Sequence, residues 1–181
     1  MNHDLDARYL ETFPAWLRNL GEDASNLVEA LNAPGVPDAA RRVLAGGLNY
    51  VFKSVDLIPD GIDDIGYLDD AFVLRVTSSH ALAAGLTAEA APAVAALAAD
   101  ADLVKSFLAD DYSRLDTYVQ GLRRSTARGR SVDDILAGGA AGGDFTADVK
   151  GFARSYSAPS FAREEKNLIK LRAFFDARLP R

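Results

Sequence analysis

The chain has 181 residues, a net charge of −6 at pH 7, 49% hydrophobic residues and 25% charged residues. This length and composition predict one globular domain with a sizeable core, not a disordered chain. The acidic balance argues against general nucleic-acid binding, which depends on Lys and Arg neutralising phosphates. The absence of cysteine excludes disulfides, thiolate nucleophiles and thiolate zinc sites.

The sequence predicts neither a membrane-spanning protein nor a secreted one. The N-terminal stretch MNHDLDARYLETF carries acidic residues and no apolar run, so it does not predict a secretory signal. The longest uncharged stretches, at Val76–Ala88 and Ala90–Ala99, are too short to span a bilayer, which takes about 20 apolar residues. We therefore expect a soluble, cytoplasmic protein.

Apolar residues recur at helical spacing along most of the chain, and no convincing alternating strand is present, which predicts an all-α fold. The first helix is predicted over Asp4–Leu20, with a kink or a fresh start at Pro14 and a stop at Gly21. A second helix is predicted over Glu22–Asn32.

The middle of the chain predicts two helices joined by an acidic segment. After a breaker at Ala33–Pro37, Asp38 is expected to cap a helix that continues to Val55. The next helix is expected from Tyr67 to about Ala84, with Gly85 as its end. Two helices joined in this way form an antiparallel hairpin.

Further on, Thr87 is expected to cap an alanine-rich segment that holds Pro92 in its first turn. The clearest amphipathic pattern predicts one long helix over Ala101–Arg124. Ser131 is then expected to cap a short turn of sequence VDDIL.

The C-terminal part begins with AGGAAGGD at Ala137–Asp144, which we interpret as a flexible connector because glycine disfavours regular structure. Helices are predicted over Phe145–Tyr156 and Phe161–Leu179, the second capped by Ser160. The expected organisation is a main helical domain at 1–136, the connector at 137–144, and a helical pair at 145–181. The apolar face of the last helix predicts packing on the main domain, or on a protein partner or second copy.

The stretch DLIPDGIDDIGYLDD, from Asp56 to Asp70, is the most distinctive in the chain. Pro59 restricts the residue before it to extended conformations, and Pro59–Gly61 has the composition of a turn. The stretch resembles the signature of the YkvA family, a short bacterial domain of unknown function, over about residues 43–80. The residues that match the signature are Asp56, Leu57, Ile58, Pro59, Asp60, Gly66, Tyr67, Leu68, Asp69 and Asp70.

The resemblance implies a compact bundle of helices around a YkvA-like helical hairpin, and it carries over no enzymatic activity. Gly61, Asp63 and Asp64 depart from the family pattern, which has apolar residues and a second proline at this point. These departures make the loop more polar.

Three interpretations of the aspartates remain open, one of which is a catalytic pair of carboxylates. In the first they are structural, serving helix N-termini and turns while the neighbouring apolar residues enter the core, and no cofactor is required. In the second they bind a hard cation such as Mg²⁺ or Ca²⁺, or serve a metal-dependent enzyme. The candidate ligands for that site are Asp56, Asp60, Asp63, Asp64, Asp69 and Asp70. The spacing does not fit an EF-hand loop, because Ile62, Ile65 and Ala71 fall where that loop needs an oxygen ligand, a glycine and a glutamate.

Two further clusters are candidates for function. RRSTARGR places four arginines at the end of the predicted long helix, where they suit the helix dipole or bind an anion such as phosphate or a lipid surface: Arg123, Arg124, Arg128 and Arg130. Ser79 and His80 are neighbours in a helix and point in different directions, so we do not expect a nucleophile and base. The sequence as a whole predicts a non-enzymatic structural or interaction module, with peripheral membrane contact as one form of it.

Overall fold

The computed structural model describes residues 3–53 and 56–181, and the described part of the chain is an all-α bundle, which confirms the predicted fold class. The helices are α1 (His3–Asn32), α2 (Asp38–Tyr50), α3 (Leu68–Ala83), α4 (Pro92–Ala99), α5 (Ala101–Leu108), α6 (Tyr112–Gly121), α7 (Val132–Leu136), α8 (Gly139–Ser155) and α9 (Glu165–Arg178). Short 3₁₀ turns at Ala109–Asp111 and Leu122–Arg124 follow α5 and α6. No helix in these described ranges has the length and apolar character needed to cross a membrane.

The centre of the bundle is α3, whose side chains are buried on nearly all sides. Phe72 on this helix contacts the rings of Phe13 and Trp16 from α1, Phe107 from α5 and Phe175 from α9. Edge-to-face and offset contacts between aromatic rings add to the free energy gained from burying their surface. One residue therefore joins four helices to a single core.

The N-terminal prediction of two helices is wrong, because α1 runs without interruption from His3 to Asn32. Pro14 lies inside this helix, where it lacks the N–H that would bond to the preceding turn. Gly21 is buried rather than at a helix end. A Cβ at this position would lie 3.0 Å from the carbonyl oxygen of Ala153, so the glycine permits α8 to pack closely on α1.

The predicted helical hairpin is present as α2 and α3. Tyr50 at the end of α2 meets Asp69 at the start of α3, and Gly47 meets Thr77 further along, so the two helices are antiparallel. Asp38 is the first residue of α2 and not its cap, since Pro37 precedes the helix with an extended backbone. The helix ends at Tyr50, and the predicted continuation to Val55 reaches residues outside the described ranges.

The predicted long helix over Ala101–Arg124 is also wrong. Ala109 has a positive φ of 50°, which breaks the pattern into α5 and α6. The remaining segment to Arg124 is a 3₁₀ turn. Pro92 is the first residue of α4, as predicted, while the hydroxyl of Thr87 accepts a hydrogen bond from the Ala90 N–H in the turn before it.

Beyond α6, two strands of two residues each form an antiparallel hairpin, in which Thr126 pairs with Ser131 and Ala127 pairs with Arg130. Both residues of its turn, Arg128 and Gly129, have positive φ. This backbone conformation is the one that two-residue hairpin turns favour. The Ser131 side chain then caps α7 in a reciprocal capping box with Asp134, as the sequence predicts.

The glycine-rich segment is helical, which corrects its interpretation as a flexible connector. It forms the first part of α8, which begins at Gly139 rather than at Phe145. A Cβ on Gly142 would lie 2.9 Å from the carbonyl oxygen of Ile135, so the glycines allow α8 to start directly against α7. The division of the chain into a main domain and a C-terminal pair remains a prediction.

The last helix, α9, begins at Glu165 rather than at the predicted Phe161, so Ser160 does not cap it. Residues 156–164 are irregular, and Ala162 bonds through its N–H to Asp64 and through its carbonyl to Asn167. The apolar face of α9 is buried against the rest of the chain, with Leu168, Leu171 and Phe175 fully inaccessible. This packing accounts for the face that the sequence left without a partner.

Candidate functional site

The acidic segment connects α2 to α3 through a compact loop. Pro59–Gly61 form a turn closed by a hydrogen bond of 3.0 Å from the Ile62 N–H to the Pro59 carbonyl. Gly66 lies so close to this turn that a Cβ there would be 2.2 Å from the carbonyl oxygen of Asp60. The apolar residues of the segment anchor the loop in the core, and four of them are buried: Leu57, Ile58, Ile65 and Leu68.

Asp69 is the centre of a buried hydrogen-bond network at this loop. Its Oδ2 accepts a bond of 2.5 Å from the Tyr50 hydroxyl and one of 3.0 Å from the Ile58 N–H. The same Tyr50 hydroxyl accepts a bond of 2.9 Å from the Leu57 N–H. We call this set of four groups the Tyr50–Asp69 network. It joins the end of α2, the loop and the start of α3.

The second motif carboxyl of α3, Asp70, is equally inaccessible but has a different environment. Burial and the neighbouring Asp69 raise the pKa of Asp70 well above its ordinary value. Burial also raises the pKa of Asp69, and the hydrogen bonds from Tyr50 and from Ile58 oppose this rise, so that the resulting pKa is about 6. Hydrogen bonds donated to a carboxylate favour its charged form. The bonds from Tyr50 and Ile58 therefore favour the charged form of Asp69, whereas burial and the neighbouring carboxyls disfavour the charged form of Asp70.

The other two motif aspartates lie beside this pair, where Asp56 is partly buried and Asp60 is exposed. Burial raises the pKa of Asp56 to about 7, with further contributions from Asp69 and Asp60 and an opposing one from Lys53. Burial raises the pKa of Asp60 as well, against the effect of a hydrogen bond with Tyr67. The fold thus brings Asp56, Asp60, Asp69 and Asp70 into one electrostatically coupled group.

Asp63 and Asp64, two of the three departures from the family pattern, have a different role. Asp64 Oδ1 accepts a hydrogen bond of 2.7 Å from the Ala162 N–H, and the carbonyl of Asp63 accepts one of 3.1 Å from Lys170 Nζ. Tyr67, next to this part of the loop, packs its ring edge-on against Tyr156. The polar positions of the loop therefore connect the motif to the C-terminal segment.

A metal site is only weakly supported by this geometry. Within residues 3–53 and 56–181, no group of three or more histidine or acidic side chains is arranged to hold a metal ion. In the same ranges, however, Asp56 Oδ1 and Asp69 Oδ1 are buried carboxylate oxygens without a hydrogen-bond partner. Buried polar atoms are usually paired, so these two oxygens need an explanation.

The four candidate arginines do not converge. Arg128 and Arg130 stack on the rings of Phe52 and Phe145, and Arg130 also forms an ion pair with Asp148. Arg123 and Arg124 instead line a separate surface depression together with Arg42. No sequence pattern groups Arg42 with these arginines, because it lies about 80 positions earlier in the chain.

His80 and its neighbours form ordinary structural contacts. His80 Nε2 lies 2.7 Å from Asp116 Oδ1, which links α3 to α6. The Ser78 hydroxyl donates to the Leu74 carbonyl within the same helix. His80 thus pairs with a carboxylate of α6 and Ser78 with its own helix backbone, which is not the arrangement of a nucleophile and its base.

Arg75 is a buried charge that the sequence did not reveal. Its guanidinium is 2% exposed, donates to Asp23 and Asp100 at 3.3 Å each, and lies over the Trp16 ring. Burial lowers the pKa of Arg75 and raises that of Asp23 to about 6. In the sequence, Arg75 is a single arginine in an apolar helix. Only its position inside that apolar run could have indicated that its side chain is buried.

Comparison with known proteins yields one family match. A family model described as a protein of unknown function (DUF1232) matches residues 40–75, which include the acidic motif and Arg75. No curated protein and no solved structure matches the chain. The match identifies a domain of unknown function within this segment, while the resemblance to the YkvA signature remains a prediction.

Proposed function

We propose that the protein is a non-enzymatic cytoplasmic module that acts through contacts at its surface, with the acidic motif as its internal scaffold. The observation that carries this proposal is the burial of the two motif carboxyls at the start of α3. Asp69 and Asp70 are 0% and 2% exposed, and Asp69 is already bonded to Tyr50 and to the Ile58 amide. A catalytic acid or base must come within hydrogen-bond distance of its substrate, which these carboxyls do not offer.

The scaffold role predicts a specific pattern of stability. Replacing Asp69 by alanine removes the acceptor of the hydrogen bonds from Tyr50 and Ile58 and leaves two buried donors unpaired, so it should lower the free energy of unfolding by about 2–6 kcal/mol, whether or not metal is present. Asp63→Ala is a matched control, because the contact that Asp63 makes with Lys170 uses its main-chain carbonyl. Urea unfolding followed by circular dichroism measures both. Full stability in Asp69→Ala would remove the basis for the proposal.

Divalent-cation binding, in a metal-dependent enzyme or a binding protein, is the second candidate. It is favoured by the two unpartnered carboxylate oxygens of Asp56 and Asp69 among the described residues and by the mutual repulsion of the four carboxyls. A bound cation would satisfy both. In that case millimolar Mg²⁺, Ca²⁺ or Mn²⁺ raises the melting temperature by mass action, and Asp60→Asn abolishes the rise. The scaffold proposal expects no specific rise.

A protein partner, self-association through the C-terminal helix and peripheral membrane contact belong to the same proposal. The buried face of α9 is used within the chain, and Ile169 is its large apolar residue that faces solvent, 58% exposed. Sedimentation of the wild type and of Ile169→Asp measures whether this position contributes to an association. An unchanged monomer in both would exclude that surface.

A further inference from the structure

The candidate site is a surface depression of about 500 Å³ at the end of α6, lined by Arg42, Gln120, Gly121, Arg123 and Arg124. We call it the arginine depression. It has three cationic side chains and no acidic one in its lining, on a protein whose net charge is −6. A local reversal of the overall charge attracts anionic ligands.

A close contact between two backbones brings these arginines together. Gly46 on α2 lies against the 3₁₀ turn Leu122–Arg124, and a Cβ on Gly46 would be 2.7 Å from the Leu122 carbonyl oxygen. Arg42 lies one helical turn before Gly46, on the same face. The glycine therefore places the guanidinium of Arg42 beside those of the 3₁₀ turn.

The charges in the depression are only partly neutralised. Arg42 pairs with Asp133 at 2.7 Å, and that aspartate is largely exposed to solvent. Arg123 Nε donates to the Gln120 carbonyl at 2.9 Å, which orients its guanidinium. Across the parts of the chain that the structure describes, neither Arg123 nor Arg124 forms an ion pair with an acidic side chain. Like charges held together in this way repel each other until an anion binds.

The neighbouring depression with the other two candidate arginines is different. It has a volume of about 710 Å³, and Asp134, Asp144 and Asp148 line it together with Arg128 and Arg130. Acidic residues outnumber the arginines there, so the electrostatic argument for an anion does not apply. The comparison singles out the arginine depression.

We propose that the arginine depression binds a phosphate monoester group. Planar guanidinium forks donate two parallel hydrogen bonds to phosphate oxygens, and three of them match the charge and the several acceptors of a dianion. The group belongs either to a soluble metabolite or to the headgroup of an acidic lipid. This inference stands on residues separate from the acidic motif, so the scaffold role and the phosphate site can fail independently, and a lipid source would be one form of the membrane contact included in the proposed function.

The test titrates inorganic phosphate at constant ionic strength, with chloride as the balancing anion, and follows the melting temperature. Wild type should show a melting temperature that rises with the logarithm of the phosphate concentration above Kd, by roughly 3–6 °C at tenfold excess over Kd. The double variant Arg123→Gln and Arg124→Gln should lose it. The matched control, Arg154→Gln with Arg163→Gln, removes the same charge from exposed positions elsewhere and should keep it.

A second arm distinguishes the two sources of phosphate. Vesicles of phosphatidylcholine with phosphatidic acid are sedimented with wild type and with the double variant. Sedimentation that needs Arg123 and Arg124 assigns the group to a lipid, whereas a phosphate-induced rise without sedimentation assigns it to a soluble phosphomonoester. The proposal is overturned when phosphate gives no more than chloride, or when the double variant responds like wild type.

Discussion

Replacing Tyr50 by phenylalanine tests the Tyr50–Asp69 network with the least change in shape. The variant removes one hydroxyl, which donates to Asp69 Oδ2 at 2.5 Å and accepts from the Leu57 N–H at 2.9 Å. A hydrogen bond to a charged group contributes about 1.5–3 kcal/mol, and a buried N–H left unpaired costs about 1–3 kcal/mol. The expected loss in the free energy of unfolding is therefore about 2.5–6 kcal/mol.

Urea unfolding measures this loss directly, and thermal unfolding should show a fall of about 5–20 °C for a chain of this size. Tyr118→Phe is the matched control, since its ring packs edge-on against Tyr50 while its partly buried hydroxyl only accepts from Lys53 Nζ at 2.9 Å. The control should lose less than about 1.5 kcal/mol. Equal losses in the two variants would refute the reasoning.

Three further predictions concern buried charge and close packing. Folding raises the pKa of three carboxyls from 3.8 to about 6 or 7: Asp23, Asp56 and Asp69. The stability that these protonated carboxyls contribute to the folded state is therefore fully present below about pH 4 and is lost as the pH rises through 6–7. Urea unfolding should thus show a higher free energy of unfolding at pH 5 than at pH 8. The variant Asp70→Asn removes another carboxyl with a raised pKa and should narrow this difference between the two pH values. A wider difference would contradict the raised pKa of Asp70. Gly66→Ala places a Cβ 2.2 Å from a loop carbonyl oxygen and should lower the melting temperature, whereas Gly61→Ala, with open space around it, should not; equal effects would count against the loop geometry. Arg75→Met leaves Asp23 buried without its cation and should lower the free energy of unfolding by about 3–5 kcal/mol. Adding Asp23→Asn to this variant should restore part of the loss. A loss under about 1 kcal/mol in thermal or urea unfolding would show that the ion pair is unimportant.

The sequence predicted the helical hairpin well because its signals are local. Periodic apolar residues identify α2 and α3, and Pro59 with Gly61 marks the turn between them. The capping box at Ser131 is equally local, since donor and acceptor lie three residues apart. Such features depend on neighbours in the chain and require no knowledge of the fold.

Glycine misled the prediction where its role is tertiary. The sequence pattern predicts a helix stop at Gly21 and a flexible connector at Gly142, but both glycines are helical and lie against a backbone from another element. A missing side chain serves a turn and a close helix contact equally well, and only the fold distinguishes them. The break at Ala109 is the opposite case, since alanine gives no sign of a positive φ.

The candidate site was only partly visible in the sequence for the same reason. The motif carboxyls are close in the chain and come together, whereas Arg42 and Arg123 meet only because Gly46 lets α2 approach the 3₁₀ turn. Asp64 was grouped with the other aspartates but bonds to Ala162, nearly a hundred residues away. Partners at such separation have no local signature.

The central claim is that the motif loop is an internal scaffold, and amide hydrogen exchange in the wild-type protein tests it most directly. The amides of Leu57 and Ile58 donate to Tyr50 and Asp69, while Gly61 lies at the exposed tip of the same loop. Amides that open only with the whole fold exchange slowly, and those in mobile loops exchange fast. We predict that Leu57 and Ile58 exchange as slowly as the core amides of α3; exchange as fast as that of Gly61 would contradict the account.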